Sequence, residues 1–363
     1  MAEQTLTAQQ RAQLFAMSTR QNLQMLSKQH LASTPGTVQI TLPKARLLSN
    51  IMVRVSGELY MNPAGDESYS GGQVYNDIFT PFKCIRRVSL DLNNGFQPFV
   101  LSGTEIAMLN MVDINAGIMA QGTQYINFPK YLEQNEINGY AQSGQPVNFD
   151  FTFSLPITTS PKDPIGLILL QNEQTNVTLN VDFGMGNEMM KHVSGVNFEL
   201  KNMSVKTCLE TFSIPANANA MPDLSVLKLT MGRKDSMPTA GQQVIKLTTG
   251  QIYRKIIFRV LNENDQPVAD EFINSDIALV FNQADTNYSI SPEMLRLVNT
   301  KELGIELPKG CYVFDFSSGG SFPNMGGTRD FIDSANLSEF WLRFNTNGKG
   351  RVEIVTETLS RLS

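Results

Sequence analysis

Short runs in which apolar and polar residues alternate strictly constrain the fold of this chain more than any other feature of its sequence. The clearest run is residues 149–155, which places three Phe and one Leu on one face of an extended chain and polar residues on the other. The same period of two recurs at residues 38–42, 51–55 and 177–183. Successive side chains of a strand point to opposite faces of a sheet, so this pattern predicts half-buried antiparallel strands.

The pattern continues through the second half of the chain. Strands are predicted there at residues 224–231, 244–247, 252–261, 277–281 and 312–316. A short helix is predicted at residues 292–303, and a closing hairpin at residues 340–359. A hairpin of similar shape is predicted at residues 167–183, and this likeness suggests an internal repeat. Short strands joined by long polar loops are typical of β-sandwiches.

The length of 363 residues exceeds that of one ordinary domain and suits two domains with a short extension. An Ala-, Asn- and Pro-rich stretch lies between the two patterned halves. Among β-sandwiches, jelly rolls place eight strands in two sheets and use long loops. We therefore predict an N-terminal helical arm at residues 1–34, a first jelly roll at residues 35–214, a linker at residues 215–222 and a second jelly roll at residues 223–363.

The N-terminal segment differs from the rest of the chain. Residues 1–31 contain no Gly or Pro and seven Gln, and they consist largely of good helix formers. Thr7 and Gln10 fit a capping box, in which each side chain satisfies a backbone N–H at the start of a helix. The predicted helix ends before the Ser-Thr-Pro-Gly cluster at residues 33–36.

This arm is basic, whereas the chain as a whole has a net charge of −5. Its only acid is Glu3. Two interpretations are open: the helix packs on its own domain, or the arm reaches neighbouring chains or an anionic surface, where each cation contributes about 1 kcal/mol. In the second interpretation the contact residues are Arg11, Leu14, Phe15, Arg20 and Lys28.

Residues that commonly carry catalysis are few and dispersed. The two histidines, His30 and His192, lie beside no Ser or Cys nucleophile motif, so a catalytic triad is not indicated. The cysteines Cys84, Cys208 and Cys311 are far apart in sequence, which excludes a CxxC pair and indicates free thiols in a reducing compartment; a disulfide between two of them is the alternative. We predict no enzymatic activity, no cofactor and no bound metal.

Two other chemistries stay open at the level of sequence. Asp265, Asp270 and Glu271 fall in one loop, and a carboxylate pair could serve glycoside hydrolysis, although one Trp is few for a sugar cleft. The same loop contains oxygen atoms that could bind calcium, but their spacing matches no known calcium-binding loop. The acidic net charge argues against a nucleic-acid-binding surface. Since there is no signal-peptide core, we expect synthesis and folding in the cytosol.

Three segments carry a resemblance to a known family. They are the Gln-rich start of the arm at residues 6–12, the end of the first half at residues 196–215, and the Leu-Pro-Lys-Gly-Cys-Tyr segment at residues 307–312. In the order of these three segments, the chain resembles the major capsid protein of tectivirus-like bacteriophages, which enclose an internal membrane. The resemblance implies an all-β fold: two consecutive eight-stranded jelly-roll β-sandwiches, a double jelly roll, with an N-terminal α-helical arm.

The resemblance also implies a role in assembly. A homotrimer would present six jelly rolls as a pseudo-hexagonal capsomer, and these capsomers would tile an icosahedral shell over an internal viral membrane that the arm contacts. The implied partners are other copies of the chain, minor capsid proteins and vertex proteins, without sequence-specific contact to nucleic acid. The implied location is the virion capsid, after synthesis in the host cytoplasm. A charged fraction of only 17% suits lateral packing of identical surfaces.

A protein of another class remains as the alternative. A carbohydrate-binding or receptor-binding β-sandwich spike protein would have an aromatic-lined pocket and no need of a basic arm. A metal-dependent cupin requires clustered histidines, which two histidines in different elements do not supply.

Overall fold

The computed structural model describes residues 8–65, 68–93, 95–115, 125–159, 165–190, 193–283, 285–317 and 331–361. Two units divide the chain. The first unit comprises Met1–Ala107, Met119–Lys228 and Arg361–Ser363, and the second comprises Met108–Ile118 and Leu229–Ser360. The second unit therefore includes a short segment whose flanking residues belong to the first unit.

Strands make up most of the first unit. They are β1 (Gln21–Met25), β2 (Gln29–Ser33), β3 (Gly36–Thr41), β4 (Leu47–Pro63), β5 (Gln73–Tyr75), β6 (Ile85–Leu92), β7 (Phe96–Leu101), β8 (Ile126–Asn127), β9 (Tyr131–Glu133), β10 (Val147–Pro156), β11 (Ile168–Leu169), β12 (Val177–Phe183) and β13 (Val196–Phe212). The helices are α1 (Ala8–Ser18), α2 (Gly103–Asn110), α3 (Gln134–Ser143) and α4 (Gly186–Met189). A π-helical turn, Met111–Asn115, continues α2 and belongs to the second unit.

Two main sheets and one small ribbon arise from these strands. One sheet has the order β1-β13-β4-β10-β8, with β2 also paired to β13 and β11 to β4. In the other sheet the order is β7-β6-β12-β3. The ribbon pairs β5 with β9. All of these pairings are antiparallel, as the alternating sequence predicts.

Strand β10 shows how the alternating sequence builds the core of the first unit. Phe149, Phe151, Phe153 and Leu155 are buried, whereas the residues between them are partly exposed. The rings of Phe149 and Phe151 stack with centroids 6.4 Å apart, and those of Phe151 and Phe153 with centroids 6.3 Å apart. Burial of each such ring contributes about 1.5–3 kcal/mol. The strand predicted at these residues is confirmed.

The second unit contains the remaining strands and one helix. The strands are β14 (Val226–Met237), β15 (Gly241–Leu247), β16 (Ile252–Asn262), β17 (Ile277–Phe281), β18 (Asp285–Ile290), β19 (Cys311–Asp315), β20 (Ile332–Asp333), β21 (Phe340–Thr346) and β22 (Gly350–Arg361). The helix is α5 (Pro292–Leu303). One sheet has the order β19-β16-β22-β14, with β20 on β16, and the other has the order β15-β21-β17-β18.

Aromatic side chains join the two sheets of the second unit. Phe258 of β16 stacks on Phe344 of β21 with ring centroids 6.3 Å apart. Tyr253 of β16 meets Phe340 of β21 edge to face at 5.0 Å. These rings belong to one buried cluster that draws on both sheets. The unit is therefore a β-sandwich with a continuous core.

Helix α5 begins and ends where the sequence signals predict. The Ser291 hydroxyl accepts a hydrogen bond from the backbone N–H of Met294, and Pro292 occupies the first turn. Gly304 follows the last turn with φ of 72°, a left-handed conformation that glycine adopts without strain. The prediction of a helix at residues 292–303 is confirmed.

The N-terminal helix is present but shorter than predicted. It ends at Ser18, and β1 and β2 follow within the segment predicted to be helical. The predicted continuation of the helix to the breaker cluster is therefore wrong. Both strands pair with the edge of β13, and these tertiary hydrogen bonds override the helix propensity of Gln, Leu and Met.

The two predicted hairpins are also wrong, although their strands exist. Strand β21 pairs with β15 and β17, whereas β22 pairs with β16 in the other sheet. Likewise β11 pairs with β4, whereas β12 pairs with β3 and β6. Local alternation identifies a strand. It contains no information about which distant strand forms hydrogen bonds with the backbone N–H and C=O groups of that strand.

Candidate interaction surface

Helix α1 is held on the first unit by one aromatic side chain. Phe15 is 4% exposed and packs in a cluster with Leu47 and Leu167. Its ring meets that of Phe212 edge to face, with centroids 5.4 Å apart. Phe15 therefore belongs to the interior of its own unit in this conformation. Its predicted role as a contact to a membrane or a neighbouring chain does not fit that burial.

The two short strands after α1 cover the open edge of β13. Strand β1 pairs with β13 from Gln21 opposite Phe212 to Met25 opposite Cys208. Strand β2 pairs farther along, with Leu31 opposite Met203. The other edge of β13 pairs with β4, so β13 is hydrogen-bonded on both sides. Residues 8–33, called the arm below, are thus part of the sheet architecture of the first unit.

Among the described residues of the arm there are cations but no acids. Arg20 lies between α1 and β1, and Lys28 lies between β1 and β2; both are exposed. The backbone N–H of Arg20 donates to the Ser213 hydroxyl at 2.9 Å, which fixes the turn while leaving the guanidinium in solvent. The structure thus places two of the predicted contact residues on the surface.

The third cation, Arg11, is half-buried on α1 and is near the carboxyl group of Asp223. Hydrogen bonds from Ser225 lower the pKa of Asp223 most, and the charges of Arg361 and Arg11 lower it further. The charge of Arg11 therefore acts on a carboxyl group of its own unit, while part of its side chain remains exposed. Leu14, the remaining predicted residue, is half-buried on the same helix.

Exposed apolar side chains accompany these cations. Met17 is 85% exposed, Leu23 is 65% exposed and Met25 is 62% exposed. The sequence analysis did not identify these three residues as a group. It predicted one helix through residue 31, and on such a helix the apolar side chains point in many directions. The signal was present: Leu23 and Met25 are two residues apart, and side chains with that spacing share one face of a strand.

The residues considered for catalysis are not brought together. His30 is exposed on β2, and His192 lies outside the described residues. Cys84 and Cys311 are buried and Cys208 is partly exposed, all as free thiols. In the described part of the chain, no group of three or more His, Cys, Asp or Glu could hold a metal ion. No helix in that part is long and apolar enough to cross a membrane.

The loop carboxylates are engaged in ion pairs. Asp265 lies 2.6 Å from a guanidinium nitrogen of Arg351. Asp270 lies 2.7 Å from a guanidinium nitrogen of Arg296 and accepts a hydrogen bond from the Tyr312 hydroxyl at 2.7 Å. These contacts give both carboxylates a structural role.

The sequence matches no family model and no curated protein. Solved structures are similar over almost the whole chain. The crystal structure of the STIV MCP has a TM-score of 0.66 at 15% identity, covering 94% of this chain and 97% of that chain. The chain has the double jelly-roll fold of viral major capsid proteins.

Two further double jelly rolls show the same likeness. PBCV-1 VP54 gives a TM-score of 0.63 at 8% identity, covering 94% of both chains. The major capsid protein P2 of bacteriophage PM2 gives a TM-score of 0.55 at 9% identity, covering 95% of this chain and 98% of that chain. The fold class predicted from the sequence, an all-β double jelly roll with an N-terminal helix, is confirmed.

Proposed function

We propose that this chain is a viral major capsid protein. The observation that carries the proposal is the double jelly-roll match, which extends over 94% of this chain and 97% of the STIV MCP. The match therefore extends over both units of the chain and does not depend on one of them alone. The proposal assigns the chain a structural, non-enzymatic role in the virion capsid, after synthesis in the host cytoplasm.

Three copies of the chain would form one capsomer. Two jelly rolls per chain give six around the axis of a homotrimer, and a six-cornered tile can cover an icosahedral shell by closed symmetry. The charged fraction of 17% favours side-by-side packing, because few like charges would face each other. Minor capsid and vertex proteins would fill positions that these trimers cannot. We extend the likeness to tectivirus-like bacteriophages as part of the same proposal.

The arm would lie over an internal viral membrane or against neighbouring trimers. Residues 1–34, which include the arm, contain three cations and one acid, a net charge of +2, whereas the rest of the chain contains 26 cations and 33 acids, a net charge of −7. Arg20 and Lys28 are exposed, and the exposed side chains of Met17, Leu23 and Met25 are apolar. Cations next to apolar side chains suit the surface of an anionic bilayer.

The assembly proposal predicts a stable trimer. Purified protein at micromolar concentration is expected to have about three times the chain mass of 40.3 kDa by light scattering coupled to size exclusion. Negative-stain images are expected to show pseudo-hexagonal particles. A monomer with affinity for a cell-surface glycan would instead favour the receptor-binding spike protein.

The membrane proposal predicts charge-dependent binding to vesicles. Replacing Arg11, Arg20 and Lys28 together by Gln is expected to weaken binding to phosphatidylglycerol vesicles on the order of 100-fold at low salt, since each cation contributes about 1 kcal/mol. The matched control replaces Lys246, Lys309 and Lys349 by Gln, because these cations are exposed in the second unit. Equal binding by both triple variants in a flotation assay would contradict a membrane role of the arm.

A further inference from the structure

An open cleft lies beside strand β18 in the second unit. Its volume is about 470 Å³, within the range of small-ligand sites. Phe281, Ile332 and Leu337 supply apolar surface, and Asp285, Asn287 and Asp333 supply polar groups. Since β18 is the edge strand of its sheet, the cleft is reached without displacing another described strand.

Two of the polar side chains are not engaged elsewhere. Asp285 and Asn287 are exposed, and neither side chain has a hydrogen-bond or ion-pair partner among the described residues. Both line the same cleft, and the pairing of β17 with β18 is irregular at Asn287, which has no partner residue on β17. Asp333 is different, because one of its carboxylate oxygens accepts from the backbone N–H of Ala335 at 2.9 Å.

An aromatic ring lies next to these polar groups. Tyr288 is half-buried, and its ring meets Phe316 edge to face at 5.3 Å, which limits its movement. Burial raises the pKa of Tyr288, so the phenol is neutral at physiological pH. The cleft therefore combines a fixed neutral aromatic side chain with free carboxylate and amide groups.

We propose that this cleft binds a neutral carbohydrate, a function beyond capsid assembly. A pyranose has hydroxyls that donate to the carboxylate of Asp285 and pair with the amide of Asn287, and it has a C–H face that packs on apolar and aromatic side chains. No Lys or Arg is among the described residues that line the cleft, and its two carboxylates repel anions. A hydrated cation would leave the apolar surface unused.

The test uses the full-length protein and four probes: the methyl glycosides of glucose, galactose, mannose and N-acetylglucosamine. Saturation-transfer NMR is expected to show binding of at least one of them. Asp285→Ala and Asn287→Ala are each expected to weaken that binding about tenfold, since a hydrogen bond to a charged or amide partner is lost. Glu293→Ala, an exposed acid on α5, is the matched control and is expected to bind as the unaltered protein does.

Three outcomes would overturn the proposal. The first is no binding of any of the four glycosides. The second is binding that neither cleft variant reduces, when thermal melting shows both variants to be folded. The third is calcium binding that Asp285→Ala abolishes in the absence of any sugar binding, which would identify a cation site instead. Trimer formation is measured separately, so failure of the sugar proposal leaves the capsid proposal intact.

Discussion

Replacing Lys255 by Met is expected to lower the free energy of unfolding of the second unit by about 3–5 kcal/mol, because it leaves buried carboxylates without their cation. The Lys255 ammonium is 2.6 Å from a carboxylate oxygen of Asp113 and 3.9 Å from one of Asp315, and its side chain is only 12% exposed. Burial alone would lower the pKa of Lys255. The charges of Asp113, Glu357 and Asp315 outweigh burial and raise that pKa, so the ammonium stays charged.

The loss of unfolding free energy in the Lys255→Met variant is expected to depend on pH. Burial raises the pKa of Asp315 above its ordinary value of 3.8, while the charge of Lys255 opposes that rise. Without the ammonium the pKa of Asp315 rises further. A carboxyl group whose pKa is higher in the folded state binds protons more tightly there, so the folded state gains stability as pH falls toward the unfolded value. The variant is therefore expected to be most destabilised near neutral pH and to recover part of the loss on acidification.

Urea unfolding followed by Trp341 fluorescence is the measurement, since the only Trp of the chain lies on β21 in this unit. Lys246→Met, at an exposed position, is the control and is expected to change stability by less than about 0.5 kcal/mol. Adding Asp113→Asn to Lys255→Met removes one uncompensated charge and is expected to restore part of the stability. Equal midpoints for the two Lys variants would show that the buried ammonium contributes nothing.

Much of the fold was predictable because it depends on local signals. The Phe residues of β10 alternate, so their burial follows from the period of two. Helix α5 has a Ser cap, a Pro in its first turn and a Gly after its last, so its limits follow from backbone chemistry. Pairing was not predictable in this way. Strands β21 and β22 are neighbours in sequence and members of different sheets, because each finds its partners far away along the chain.

The interaction surface was predictable only in its charges. The sequence shows that Arg20 and Lys28 lie in a segment poor in acids, and both are exposed. It does not show that Phe15 is buried, because the residues that enclose it, among them Leu47 and Phe212, are distant in sequence. Edge strands that complete a sheet have no local signature of their own, since any extended segment can satisfy an open edge.

Two deletions of the arm are expected to have different results. Removing residues 1–19 eliminates α1 but keeps β1 and β2 on the edge of β13. That variant is expected to form soluble trimers that fail to close normal shells, because it lacks the helix and one of the three arm cations. Removing residues 1–33 also removes both strands, so the unpaired N–H and C=O groups of β13 face solvent. An open edge of this kind recruits other chains, and the longer deletion is expected to aggregate.

Size exclusion with light scattering distinguishes the two deletions, and negative-stain microscopy counts closed shells. The point variant Phe15→Ala keeps every residue of the arm and loses the ring that packs on Phe212, at a cost of about 3–5 kcal/mol to the docking of α1. It is expected to resemble the shorter deletion in shell formation. Normal shells from all three variants would mean that the arm plays no part in assembly. Soluble trimers from the longer deletion would mean that β13 does not need β1 and β2 to protect its edge.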